Sequence, residues 1–339
     1  MSDYLIVDAP TQSPELRHEI GEAISDDVIF LEVAGKRIVV ASELEATTLR
    51  ARDDVVDEFW STHSLGADDL VKDPDLPTHL MTSELTVRAL ARVGVARVVV
   101  PASFRVSDAD YLRERGVEVV VGADEWKARR RRKTPWELEG IERAQRATET
   151  AFVTAARKLR EAEPTNGGQL RFEGEILTSE WIRAAMSADL LSQGAESEEI
   201  IVQSGDACLE GHELGSGPIL PDQSCIIDCF PRERRTGVYS DTTRTYVPGK
   251  PSPELEKLHR IVRDALEIAF ESIKPGADDA HTKVAEYFHT QGMPTREHHT
   301  GEGSLKEGFF HSLGHGVGLE VHEAPSVGRR SDPLQEGDV

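Results

Sequence analysis

A single carboxylate constrains this chain more than any bulk property. Asp228 sits in the run Ser224-Cys225-Ile226-Ile227-Asp228-Cys229-Phe230. The run is apolar enough to read as a buried strand whose alternate side chains face opposite ways. Burying an unpaired charge is expensive, so the fold must bring Asp228 a partner. Asp241 follows thirteen residues later in a second strand-like stretch, residues 237–245. A hairpin between the two strands would set both carboxylates side by side. Two close anions raise each other's pKa unless a cation neutralises them, which makes a metal ion the natural third party. The same residues admit another reading, in which Asp241 pairs with Arg244 and Asp228 caps a turn.

The histidines bear on that choice. The chain has 12, and five of them (His298, His299, His311, His315 and His322) fall between positions 298 and 322. Three sit in His311-Ser312-Leu313-Gly314-His315-Gly316-Val317-Gly318-Leu319-Glu320-Val321-His322-Glu323. Glycines at this density leave room for backbone to approach a ligand. A lone histidine is more often a satisfied core residue, but three in so short a glycine-laced segment point to a site.

The remaining sequence divides into two parts. Up to about residue 125, short β-rich runs alternate with helical ones. Residues 28–33 and 37–41 read as a hairpin turned at Ala34-Gly35-Lys36. Residues 96–100 and 117–121 read as continuous apolar strands of the kind buried in a mixed α/β sheet, with helices over 82–93 and 107–115. The expectation is an α/β domain over residues 1–127, a linker at 128–134 and a second domain over 135–339. The basic run Arg129-Arg130-Arg131-Arg132-Lys133 reads as a solvated linker. In the second part, Thr134 can cap a helix that starts at Pro135 and runs to Leu159. Further helices are expected over 172–191, 254–273 and 279–289. Strands are expected over 199–203, 224–230, 236–247 and 309–322. Helices and strands in that order make an α+β domain with helices on one sheet face.

Charge limits the partners. There are 61 acidic against 39 basic residues, a net charge of −22, and the basic ones are ten Lys against twenty-nine Arg. Such a field repels nucleic-acid phosphates, whose recognition needs a basic footprint. An acidic, Lys-poor surface suits solubility in concentrated salt and is expected of a halophile's cytoplasmic protein. The start of the chain lacks a basic n-region and a long apolar h-region, and no window approaches eighteen consecutive apolar residues, so neither a signal peptide nor a membrane span is expected. Cys208, Cys225 and Cys229 are odd in number and read as reduced thiols, the last two sharing one strand face as small buried hydrophobes.

Taken together, Asp228, Gly237-x-Tyr239-x-Asp241-x-Thr243-Arg244-Thr245 and His311-x-x-Gly314-His315-Gly316-x-Gly318-x-x-x-His322-Glu323-x-Pro325 resemble the Xaa-Pro aminopeptidase and prolidase group of pita-bread metallopeptidases. Gln203-Ser204-Gly205-Asp206-Ala207-x-x-x-Gly211-His212 is similar to that family's substrate-side histidine segment, and Lys133-Thr134-Pro135-x-Glu137 to its domain entry. The resemblance spans residues 133–325. It implies an α/β N-terminal domain followed by an α+β pita-bread (creatinase/aminopeptidase-like) domain, incomplete at its C-terminus. It also implies roles: Asp228 binds one metal ion, Asp241 bridges two, and His315 binds the other. His212 and His322 position substrate and assist proton transfer, and His311 lines the pocket. Two divalent ions about 3.5–4 Å apart can hold a bridging hydroxide as nucleophile. A carboxylate-rich site with one imidazole suits Mn²⁺, with Co²⁺ or Zn²⁺ as substitutes. The implied substrates are peptides with proline in second position, and a homodimer is an expectation by resemblance.

Two departures accompany the resemblance. The thirteen-residue spacing of the aspartates exceeds the family's usual one by two, with the extra residues in the hairpin tip at 231–235, where insertion costs little. The family also takes two glutamate ligands from strands beyond the histidine segment, whereas this sequence ends at Leu334-Gln335-Glu336-Gly337-Asp338-Val339. A truncated sequence, inactive by itself, is the expectation from that end. Competing readings are a non-enzymatic peptide-binding module of the same fold and the metal-free creatinase-like branch. Retention of both aspartates and His315 argues against each. Methionine aminopeptidase, a cousin, normally lacks so large an N-terminal domain.

Overall fold

A computed structural model describes residues 2–305 and 307–339. The chain separates into two compact units, Met1–Thr134 and Pro135–Val339.

The N-terminal unit is built on one mixed sheet. Its strands are β1 (Tyr4–Asp8), β2 (Val28–Val33), β3 (Lys36–Ala41), β4 (Glu58–Ser61), β5 (Arg97–Val100) and β6 (Glu118–Val121), in spatial order β4-β3-β2-β1-β5-β6. The expected hairpin is present, with Val33 opposite Lys36 in the β2–β3 register. The apolar runs are continuous because both sheet faces are covered. Leu5, Val7, Leu31 and Val98 enter one core, while Ile6, Phe30 and Val39 enter the other. Helices α1 (Pro14–Ile20), α2 (Met81–Val93) and α3 (Val106–Glu114) connect these strands.

The linker expected at 128–134 is not one over its first half, because α4 runs from Ala123 to Arg131. Nor is the basic run solvated, since Arg130, Arg131 and Lys133 are all buried. The reason is long-range pairing. Arg129 binds Glu19 and Glu32, and Arg130 binds Glu15, acids more than ninety residues away that no local pattern reveals.

In the C-terminal unit α5 (Pro135–Glu161) begins at the expected proline and packs against α6 (Ser179–Ser192). The helix expected from 172 starts seven residues late. Leu170–Phe172 and Glu175–Ile176 instead form a small hairpin whose turn residues, Glu173 and Gly174, have φ of 49° and 90°, which a helix cannot accommodate. Thr178 then caps α6 through its hydroxyl. Three antiparallel strands follow in the order β7 (Ile200–Ser204), β8 (Cys225–Cys229) and β9 (Thr242–Tyr246). Helix α7 (Pro253–Ser272), capped by Ser252, packs against α8 (Ala280–Thr290).

Two expected strands shrink. Of residues 236–247 only β9 is regular, and of 309–322 only β10 (Gly314–Gly316), which pairs with β11 (Glu323–Val327). Close backbone packing displaces regular structure there. A Cβ on Gly316 would lie 2.4 Å from the Ala324 carbonyl oxygen, so only glycine fits where the register shifts.

Candidate metal centre

The site grows from the β8–β9 pair. Along β8, Cys225, Ile227 and Cys229 turn into the core, which leaves Asp228 on the other face. Both thiols are pushed up to about 12 by burial, so they behave as the expected hydrophobes. Asp228 lies directly opposite Thr243, whose hydroxyl donates to Oδ1 at 2.7 Å. Burial raises the Asp228 pKa, the Thr243 hydrogen bond opposes that rise, and the charge of Asp241 reinforces it. Asp228 and Asp241 are therefore electrostatic neighbours. Arg244 does not neutralise Asp241; it donates to the Thr243 carbonyl at 2.8 Å.

Asp241 precedes β9, and its segment is tied to the glycine-rich one. The Tyr239 N–H donates to the Gly318 carbonyl at 2.7 Å, and the Ser240 hydroxyl meets that of Thr148 on α5 at 2.8 Å. These bonds bring Asp241 Oδ2 to 3.4 Å from His315 Nε2. The other imidazole nitrogen, Nδ1, donates to the Gly316 carbonyl at 3.0 Å, which orients the ring with Nε2 toward the carboxylate. The hydrogen bond that His315 donates to Asp241 raises the His315 pKa against the lowering effect of burial. His322 stacks edge-on to His315 with ring centroids 4.2 Å apart. Asp241, His315 and His322 each offer a ligand atom within 4.8 Å of the other two.

The other expected residues are placed differently. His212 rides on the loop after the short helix Gly205–Leu209, and its charge reaches Asp228 and lowers the carboxyl pKa. That loop is pinned by the buried Gln203 amide, which donates to the carbonyls of Glu210 and Glu213 on either side of His212. His311 is outside the trio. Its Nδ1 meets the Ser312 carbonyl, and its side chain lines a cavity of about 500 Å³ with His281, Glu297 and Arg329. A second cavity of about 420 Å³ borders Asp241 and is lined by Ile141, Gln145 and Val317.

The donors fit a divalent cation. One carboxylate and two imidazoles converge, beside a second carboxylate whose ionised form is penalised by burial and by Asp241. A divalent cation held by this set would offset that penalty, and oxygen with imidazole is a donor set suited to such ions. Thr243, Thr148 and Ser240 were given no role from the sequence. The one available signal was the placement of Thr243 two residues after Asp241, the interval that returns a strand to the same face.

Two helices on an antiparallel sheet with this donor cluster define a pita-bread metallopeptidase fold, and solved structures share it. The X-Pro aminopeptidase from Thermotoga maritima superposes with a TM-score of 0.76 at 22% identity, covering 99% of this chain and 86% of that one. The prolidase from Pyrococcus furiosus gives 0.70 at 21%, covering 100% and 86%. Residues 139–339 match the pattern of metallopeptidase family M24, and the chain belongs to that family. Among curated relatives, the uncharacterized peptidase YqhT of Bacillus subtilis is 33% identical over 147 residues, 43% of this chain and 38% of that protein. A Xaa-Pro dipeptidase of Pyrococcus horikoshii is 41% identical over 107 residues, 30% of this chain and 26% of that protein. The matched stretches thus span well under half the length of these relatives.

Proposed function

We propose that the protein hydrolyses the peptide bond between an N-terminal residue and a following proline, using divalent metal ions held by Asp228, Asp241 and His315. The observation that carries this reading is the approach of Asp241 to His315 at 3.4 Å, with the His322 imidazole beside them. Family membership and relatives named as Xaa-Pro dipeptidases support it. When bound, the metal pair supplies an activated water and polarises the scissile carbonyl. The chain's own residues do the rest. Asp228 and Asp241 supply negative charge, and His315 offers Nε2 while its Nδ1–H is held by the Gly316 carbonyl. His212 and His322 orient the substrate and hold protons beside its carbonyl and amine. Proline lacks an N–H, so the pocket must receive the ring by shape.

Mn²⁺ is the metal in this reading, with Co²⁺ or Zn²⁺ as substitutes. The acidic, Lys-poor composition and three free cysteines support a cytoplasmic, high-salt setting. A homodimer belongs to the same reading and is checked by light scattering. The test of activity is turnover of an alanyl-proline dipeptide and of longer Xaa-Pro peptides in Mn²⁺, with chelated protein as control. Metal-dependent cleavage restricted to the Xaa-Pro bond supports the reading. Absence of both cleavage and Mn²⁺ binding overturns it.

A further inference from the structure

We infer that Thr243 is a positioning residue for the metal centre: its hydroxyl holds the Asp228 carboxylate in the rotamer that presents it to the cation. This rests on the proposed role of Asp228 as a metal ligand.

The register is the starting point. Asp228 on β8 and Thr243 on β9 are directly opposed in an antiparallel pair, where Cβ atoms stand about 4.5–5.5 Å apart. A threonine hydroxyl spans that gap and reaches Asp228 Oδ1 at 2.7 Å, within the short range of hydrogen bonds to an ionised acceptor. Threonine is stiff at χ1, so the donor is held and not merely available.

Other threonines on the strand show that this is not generic cross-strand polarity. Thr245 occupies the same face as Thr243 two residues on, yet it faces Ile226, which offers no acceptor. Thr242, on the opposite face, reaches Gln145 on α5 at 3.4 Å. Of the three, only Thr243 meets an anion. That anion is Asp228, the ligand proposed above, and the Thr243 hydroxyl meets its Oδ1 at 2.7 Å.

A free carboxylate rotates about χ2 and must be immobilised when a metal binds. One oxygen already tied to Thr243 removes that cost before the cation arrives. Partners that orient a ligand in this way typically carry a factor of about 10–100 in metal affinity.

The experiment is calorimetric titration of Mn²⁺ alone into the wild-type chain and into Thr243→Val, Thr243→Ser and Asp228→Asn, with circular dichroism and thermal unfolding confirming each fold. Valine keeps the shape and β-branching of threonine at an exposed strand position, so the fold should persist. Thr243→Val is expected to weaken Mn²⁺ binding about tenfold, Thr243→Ser to stay within about twofold of wild type, and Asp228→Asn to weaken binding at least as much as Thr243→Val. If Asp228→Asn leaves affinity unchanged, the ligand role of Asp228 fails, and the positioning role with it. If Asp228→Asn weakens binding but Thr243→Val matches wild type, the positioning inference alone is overturned. Equal losses in the valine and serine variants also overturn it, because they would implicate packing and not the hydroxyl.

Discussion

His315 Nε2 stands 3.4 Å from Asp241 Oδ2 while its Nδ1 is held by the Gly316 carbonyl at 3.0 Å. The imidazole is therefore aimed from behind by backbone and from in front by a carboxylate. Asp241→Asn and His315→Ala should each weaken Mn²⁺ binding by at least about tenfold. The double variant should lose less than the product of the two, because both belong to one cluster. Titration calorimetry on the four proteins measures the coupling, and strictly multiplicative losses would show that the two residues act independently.

Glu19 anchors the basic run of the N-terminal unit. Its side chain is 3% exposed and accepts from Arg129 at 2.6 and 2.9 Å, with Arg37 as a further partner. Burial alone would raise its pKa, but the hydrogen bond and charge of Arg129, with Arg37 and His18, outweigh burial and lower it. Glu19→Gln leaves those guanidinium groups without their counter-charge and should cost about 3 kcal/mol at neutral pH. A lowered pKa means that the folded state prefers the ionised form. The stabilisation is accordingly complete above the unfolded-state pKa of about 4.3 and is lost as pH falls through the lower folded-state value. Chemical denaturation from pH 7 to pH 3 should show the gap between wild type and Glu19→Gln constant down to about pH 5 and closing below it. A gap that widens on acidification would contradict the assignment.

Gly140 sets two effects against each other. Alanine within a helix is favoured over glycine by about 1 kcal/mol. Here, however, an added Cβ would lie 2.4 Å from Thr236 Oγ1 and 2.7 Å from Val238 Cγ2, and Val238 is fully buried. Overpacking of that kind costs about 1–3 kcal/mol. The steric term should win, so Gly140→Ala should lower the melting temperature, which differential scanning calorimetry reads directly.

Thr148 and Ser240 are both buried and share a hydrogen bond of 2.8 Å. Thr148 gives its proton to the Ala144 carbonyl, so Ser240 is the donor between the two hydroxyls. Thr148→Val should cost about 1–3 kcal/mol by leaving the Ser240 hydroxyl unsatisfied. Adding Ser240→Ala should recover part of that loss, and urea midpoints across the four proteins decide it.

Legibility in the sequence followed range. The β2–β3 hairpin, the apolar strands β5 and β6, the helix α7 and the buried face of β8 were all readable, because alternation and helical spacing act within a few residues. Arg129 and Arg130 were misread as solvated, since their partners Glu19, Glu32 and Glu15 are remote in the chain. Residues 309–322 look strand-like by composition, yet the close approach at Gly316 limits regular structure to three residues. At the site, the pattern of aspartates and histidines singled out residues of which the fold brings Asp241, His315 and His322 together. It could not separate His322, which joins Asp241 and His315, from His311, which faces another cavity. Thr243 was quoted within the motif without a role, because its role exists only once β8 and β9 are in register.

The pleat of β8 also sorts atoms by chemical softness. The Asp228 carboxylate emerges on the face opposite the core, whereas the sulfurs of Cys225 and Cys229 stay inside the core as unreactive thiols. Thiophilic ions such as Cd²⁺ or Hg²⁺ therefore gain no handle from these two residues, and mild peroxide finds no thiolate among them to oxidise. The two-residue period of the strand is what keeps these two sulfurs away from the carboxylate face.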